Sequence, residues 1–388
     1  MKKFLILLTG FIPYIHLYGQ NDTLRLMFTG DIMMHKPQIE AARNDKIKTY
    51  DFNNSFIYVK HIFSQADFVI GNLETTLGSK PYSGYPRFSA PAALAKALKN
   101  AGFNVLVTAN NHSADKGKTG IFKTIEILKQ NKIAQTGTFK SAQDRNEKNP
   151  LILDRKGFRI ALLNYTYGTN GLPVPKPAIV NLIDTTQIKA DLKKSRQYHP
   201  DLIIVFLHWG IQYQSRPHQS QLELEKFLHR QGVRIIIGSH PHVVQPVRFN
   251  ENKLTVYSLG NFISNQRTYP RDGSIIFYLE LVKKSGRIKI AEAGYIPVWT
   301  YKYELDNKWY FEVLPVDDFI RDKYYFTSFE DFRKMLKLNL YINRILKIHR
   351  SNIKRGLKFI PRHPVKTLKP VLKFQLKKEA GLPLNPLP

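Results

Sequence analysis

At 388 residues the chain can bury a sizeable core, and with 43% hydrophobic residues it is not a mostly disordered polyelectrolyte, despite a formal charge of +29. The 59 Lys and Arg outnumber 30 Asp and Glu unevenly, since residues 332–388 hold 15 of the former and one acid, Glu379. No cysteine is present, which excludes disulfides, thiolate metal ligands and a lipid-modified cysteine.

The chain opens "MKKFLILLTGFIPYIHLYGQ", two lysines ahead of an apolar segment from Phe4 to Tyr18 and then the small residue Gly19. This is the pattern of a signal peptide over residues 1–19, cut near Gly19–Gln20, and it predicts export to the periplasm or cell envelope. An uncleaved anchor is the alternative, against which Pro13 and His16 argue.

Six short apolar runs follow, and each stops at a polar cluster. "TLRLMFTGD" ends at Gly30-Asp31, with His35 four residues on, and "ADFVIGNLE" ends at Asn72 and Glu74. "FNVLVTANNHSAD" ends at Asn110, Asn111 and His112, with Asp115 beyond. "DLIIVFLHWG" ends at His208, "VRIIIGSHPH" at His240 and His242, and "LTVYSLGNF" at Gly260, Asn261 and Phe262. Between them, "PAALAKALKNAG", "GIFKTIEILKQNK" and "QSQLELEKFLHRQG" space apolar residues three and four apart, the first with proline at its start and glycine at its end. Strands alternating with helices predict an α/β sheet with helical cover, and ligands of such sheets gather beyond the carboxyl ends of the strands.

Those strand ends carry a consistent donor set. Asp31 and Glu74 offer carboxylates, Asn110 or Asn111 an amide oxygen, and His112, His208, His240 and His242 imidazoles. On an extended backbone His240 and His242, two residues apart, would face the same way. The mixture suits Mn, Fe, Zn or related divalent ions, two of which can share a bridging oxygen ligand and assist displacement at phosphorus. A polar cleft without metal is the alternative left open by the residues alone. Asn72 and Asn261 stand at the same strand ends and are expected to contact substrate. Arg87, in the loop "GYPRFSAP", has the planar fork that suits carboxylate or phosphate, although a solvated loop arginine would look the same. Asn164 and Tyr165 could line the same cleft or belong to the core, and Trp209 is expected to pack over the metal edge.

Taken together, "FTGDIM", "ADFVIGNLETTLG", "NVLVTANNHSADKGKTGI", "LIIVFLHWG", "GVRIIIGSHPHVVQPV" and "YSLGNFIS" resemble, in order, the capsule-biosynthesis CapA family, called PgsA in poly-γ-glutamate systems. The resemblance runs from about Leu24 to about Ile296. It implies the calcineurin-like metallophosphoesterase fold group, a two-sheet α/β/β/α sandwich with two divalent metal ions at one edge. It further implies Asp31, Glu74, Asn111, His208, His240 and His242 as ligands, with Glu74 bridging. His112 would be the acid toward a leaving oxygen, and Asp115 its orienting carboxylate.

Two departures stand out. Metallophosphoesterases open with Asp-x-His where this chain has Asp31-Ile32-Met33, with His35 a conceivable substitute. Family members carry His-Trp-Gly-x-Glu where this chain has Gln212, which cannot serve as a base or an anionic ligand.

No Gly-x-x-x-x-Gly-Lys-[Ser/Thr] or Gly-x-Gly-x-x-Gly occurs, so an ATP-grasping P-loop is excluded and amide-bond formation would need separate polymer-synthesis subunits as partners. The domains expected are 20–310, of metallophosphoesterase type, and 311–388, a basic and partly helical C-terminal extension. Residues 332–378 of that extension suit an anionic membrane or envelope surface, or an acidic polymer, while a helix packed on the main domain is the plainer alternative. Nucleic acid is not an expected partner of an exported chain. The function expected is metal-assisted hydrolysis of a phosphoester or isopeptide-like bond in making or processing a surface polymer. A non-catalytic subunit that binds an anionic polymer is the alternative.

Overall fold

A computed structural model describes residues 23–250, 252–284, 286–347 and 353–356. The expected signal at 1–19 and most of the basic tail therefore lie outside the described residues. Among the described residues no helix is long and apolar enough to cross a membrane.

The first sheet is built around β1 (Thr23–Ile32), β2 (Phe68–Leu73), β3 (Val105–Val107) and β4 (Ala134–Thr136), all parallel. The second contains β5 (Leu151–Arg155), β6 (Phe158–Thr166), β7 (Leu202–His208), β8 (Ile235–Ser239), β9 (Val247–Asn250) and β10 (Lys253–Val256), in the order β5-β6-β7-β8-β10-β9. The chain then returns to the first sheet through β11 (Asn261–Ile263), β12 (Gly273–Lys284), β13 (Arg287–Leu305) and β14 (Lys308–Pro315), with β11 and β12 both pairing with β1.

Period-two alternation explains why the sheets stack. In β1, Leu24, Leu26 and Phe28 enter the core between the sheets, while Met27 points into a second core. In β7, Leu202, Ile204 and Phe206 meet that inter-sheet core from the other side, and Val205 and Leu207 point outward. The outward faces are covered by helices. α1 (Ala93–Ala101) and α2 (Gly117–Gln130) lie over the first sheet, and α3 (Thr185–Gln197) and α4 (Gln219–Arg230) over the second. The result is the expected α/β/β/α sandwich. Each fully buried Leu, Ile or Phe contributes about 1.5–3 kcal/mol, so the stacked faces dominate stability.

Two expectations about elements change. The run "LTVYSLGNF" is two strands, β10 and β11, in different sheets. Gly260, at φ +80°, turns the chain between them; Leu259 N–H donates to Gly238 of β8 and Gly260 C=O accepts from Asp31 of β1, at 3.1 and 3.0 Å. This segment staples the two sheets together directly beneath the strand ends. The boundary placed at 310/311 falls within β14. Beyond it, α5 (Phe329–Lys347) inserts Met335, Leu338, Ile342, Ile345 and Leu346 into the main core, so the apolar face of this helix is already covered.

The staple needs glycine on both sides. A Cβ on Gly30 would lie 1.8 Å from the Gly260 carbonyl oxygen. Gly30→Ala should therefore cost about 3 kcal/mol or more, read as a lowered denaturant midpoint with an unchanged slope.

Candidate metal centre and cleft

The strand ends converge where the sheets meet, and a bulge decides which residues face inward. Simple alternation from Phe28 would turn Asp31 toward the helix side. Instead β1 slips by one residue against β2, with Thr29 opposite Gly71 and Asp31 opposite Asn72. The extra residue, Gly30, re-aims Asp31 into the space between the sheets. There Asp31 Oδ1 accepts from Asn72 Nδ2 at 2.8 Å. Glu74 follows β2, its N–H bonded to the Ile32 carbonyl at 3.1 Å. His208 ends β7 on the same face as Ile204 and Phe206.

His240 and His242 follow β8 in a different conformation from the extended one expected. Their φ angles are +100° and +59°, a left-handed turn that L residues seldom adopt and that here sends the two imidazoles to different partners. Their rings are 5.8 Å apart.

Two trios result, Glu74/His208/His240 and Asp31/Glu74/His242, each with one donor atom per residue all within 4.8 Å of one another. Glu74 belongs to both. Asn111 joins the first, its Oδ1 2.7 Å from His208 Nε2, whereas Asn110 points away and bonds Asn72 and the Leu73 carbonyl. Glu74 is fully buried, yet neither carboxylate oxygen accepts a hydrogen bond. A buried carboxylate so arranged is costly unless a cation balances it. Burial first, then the Asp31 carboxylate, pushes the Glu74 carboxyl well above its ordinary range. Burial likewise holds His208 well below the usual imidazole range and His240 down to about 3, with neighbouring histidines adding to both. Neutral imidazoles, and a carboxylate free of hydrogen bonds with His208 and His242 Nε2 at 3.6 and 3.9 Å from its Oε1, are groups that can bind divalent ions, so these residues fit a metal centre.

Asn72 and Asn261 take positions other than the substrate-contacting ones expected. Both are buried behind the trios. Asn72 Nδ2 also lies 3.2 Å from His208 Nδ1, and Asn261 Oδ1 lies 3.0 Å from His242 Nδ1, which is equally close to Asp31 Oδ2. They orient ligands because strand ends in a two-sheet stack are crowded by each other before they meet solvent. Trp209 is likewise behind the site, stacked on Tyr257 in the outer core. Asn164 ties Ala109 N–H and Phe206 C=O across the sheets, and Tyr165 bonds Asp191, so both are structural.

In front lies a cleft of about 830 Å³ whose walls include Met33, Arg87, Asn111, His112, Gln212, Tyr213 and His242. His112 Nδ1 lies 2.7 Å from Asp115 Oδ2, which also accepts from Phe88 N–H at 2.6 Å, and Phe88 packs edge-on against the imidazole. This leaves Nε2 as the nitrogen that His112 can turn on a ligand. Arg87 is exposed at the rim. Met33, the departure from the metallophosphoesterase Asp-x-His, and Gln212, the departure from the family's His-Trp-Gly-x-Glu, both face the cleft.

His35 does not stand in for the missing histidine. It belongs to neither trio, packs edge-on against Phe88 and bonds Gln38 and the Asn265 N–H. Burial lowers its pKa to about 4, Gln38 opposing and His242 and His112 adding. The unfolded imidazole takes its proton near 6.5 and the folded one near 4. Stability from this group is thus whole above the first value and is lost as pH falls to the second, about 3 kcal/mol at most. His35→Asn should flatten that part of the acid limb, measured as the difference in unfolding free energy between pH 7 and pH 4.

Sequence reading missed Tyr167 and Tyr213. The Tyr167 ring sits 4.5 Å from that of His240 and is roughly half exposed. Its place just past β6, the neighbour of β7, was the available signal.

The family model of the bacterial capsule synthesis protein PGA_cap matches residues 25–266. The chain is 31% identical over 287 residues to the PGA biosynthesis protein CapA of Bacillus subtilis (strain 168), covering 72% of this chain and 73% of that one. It is 29% identical over 273 residues to the capsule biosynthesis protein CapA of Bacillus anthracis, covering 67% and 65%. Among solved structures, the calcineurin-like phosphoesterase YfkN from Bacillus subtilis aligns with a TM-score of 0.45 at 13% identity, over 71% of this chain and 90% of that one. The NAD nucleotidase of Haemophilus influenzae aligns at 0.44 and 15% identity, over 92% and 68%.

Proposed function

The chain belongs to the bacterial capsule synthesis protein family, and from that premise we propose that it is exported to the cell envelope and acts there on a capsule or poly-γ-glutamate-type polymer, as a hydrolase with two divalent ions. The observation that carries this reading is Glu74, buried, unbonded and common to both trios. Asp31, Glu74 and His242 would hold one ion, and Glu74, Asn111, His208 and His240 the other. When bound, such ions supply Lewis-acid polarisation and lower the pKa of water.

The chain's own residues supply the rest. His112, held by Asp115 in one orientation, is placed to give a proton from Nε2 to a leaving oxygen. Arg87 offers a fork to a phosphate or carboxylate. Asn72 and Asn261 keep Asp31, His208 and His242 aimed.

A second reading, a non-catalytic polymer-binding assembly or export subunit, draws on Gln212 and Met33, two neutral residues in the cleft wall where the family pattern has a carboxylate and ordinary metallophosphoesterases a histidine. One experiment separates them. Bound metal is measured on the purified chain, followed by turnover of phosphomonoesters, phosphodiesters and γ-glutamyl polymer. Hydrolysis that needs metal and is lost in His240→Ala supports the first reading. An inert protein that still binds polymer supports the second.

A further inference from the structure

Arg271, which stacks on the cleft-lining Tyr213 without itself being among the lining residues, is a feature beside the centre that neither the ligand set nor His112 accounts for. Its guanidinium carbon lies 3.4 Å from the centroid of the Tyr213 ring, a close stack of cation on aromatic face. Tyr213 lines the cleft, and its ring is 5.9 Å from that of His242. Arg271 is half-buried, and among the described residues its guanidinium makes no ion pair and donates no hydrogen bond.

The backbone ties both residues to the metal centre. Tyr213 N–H donates to the carbonyl of Pro241, between His240 and His242, at 2.8 Å. The Arg271 carbonyl accepts from Asn261 Nδ2 at 2.8 Å, and the other amide atom of Asn261 faces His242. Tyr213 is held at φ +67°, a conformation unfavourable for a non-glycine residue. Strain maintained on a residue beside a candidate site is a reason to ask what it positions. Here it positions the ring on which Arg271 rests.

Electrostatics then name the ligand. Among the residues lining the cleft, Asp115 is the sole acid, and it is engaged by His112 and Phe88. Gln212, next to Tyr213, is neutral. No carboxylate of the cleft wall is left to neutralise Arg271, and stacking leaves the in-plane N–H groups of a guanidinium free for a planar fork.

We propose that Arg271, clamped on Tyr213, determines specificity by holding an oxyanion of the substrate, carboxylate or phosphate, that is not the group undergoing reaction. This rests on the cleft being a substrate site, as argued above, but it concerns binding and does not require turnover.

The test is anion binding by the full chain in its metal-loaded form, with glutarate and inorganic phosphate as separate probes, by titration calorimetry. Arg271→Met should weaken at least one probe about 10- to 100-fold while leaving metal content unchanged. Arg271→Lys should recover part of that loss, and Tyr213→Leu should reproduce most of it, whereas Tyr213→Phe keeps the ring and the affinity. A loss confined to glutarate assigns a carboxylate reader, and one confined to phosphate assigns a phosphate reader. If Arg271→Met does not fold, the two Tyr213 variants and Arg271→Lys decide the matter by the same readout. Equal affinities in wild type, Arg271→Lys and Tyr213→Leu overturn the proposal, whether or not the protein hydrolyses anything. Absence of turnover with these affinity losses intact overturns only the hydrolase reading.

Discussion

Replacing Glu74 with glutamine should strip the protein of bound divalent ions and, in the same variant, stabilise the metal-free chain. The two effects have one cause. Glu74 is fully buried with no hydrogen bond to either oxygen, and burial and Asp31 both raise its pKa well above the ordinary value. In the metal-free protein such a group penalises folding increasingly as pH rises above that ordinary value, because the unfolded carboxyl ionises freely and the folded one does not. Glutamine keeps the shape without an ionisable group and removes that pH-dependent penalty, so the metal-free variant should hold its stability where the wild type loses it as pH rises. With ions present the sign reverses, since a cation pays for the buried charge and binds better as pH rises. Losing the shared ligand should lower turnover about 10³-fold, given a Lewis-acid contribution of several kcal/mol. Elemental analysis and melting curves with and without chelator check both halves; unchanged ion content in Glu74→Gln would overturn the shared-ligand assignment.

His112→Ala should lower the rate about 10²- to 10⁴-fold for substrates with a poor leaving group, and far less for p-nitrophenyl phosphate, whose leaving oxygen needs no proton. Metal content should stay constant, because His112 belongs to neither trio. Asp115→Asn should show the same dependence on leaving group at about 10- to 100-fold, since its contact at 2.7 Å acts through the orientation of His112. Equal losses for both substrate types would remove His112 from the proton-transfer role. Loss of metal in His112→Ala would make it part of the ligand set.

Much of the fold could be read along the chain because it rests on local rules. The alternation in "TLRLMF" and "LIIVFLH" marks strands, and Pro91 and Gly102 bracket a helix that runs Ala93–Ala101, with Gly102 at φ +121°. The donor types at the strand ends were equally plain, since a residue's chemistry does not depend on where it is placed. The break inside "LTVYSLGNF" was not legible, because a strand that changes sheets at Gly260 keeps the same apolar pattern on both sides. Nor were the positions of Asn72 and Asn261, which look like any other polar residue past a strand until the facing sheet arrives to cover them.

What the sequence determined by itself is the inventory: six apolar runs, the carboxylates, amides and imidazoles that end them, and the neutral Gln212 and Met33. What only the tertiary structure decided is direction. One added residue at Gly30 turns Asp31 from the helix side to the inter-sheet side, and positive φ at His240 and His242 splits that pair between two trios. Periodicity assigns faces only while the register is unbroken, and a bulge or a left-handed turn is set by what packs against it from the other sheet. Arg271 illustrates the same limit, since nothing within 50 residues of it in the chain announces that it rests on Tyr213.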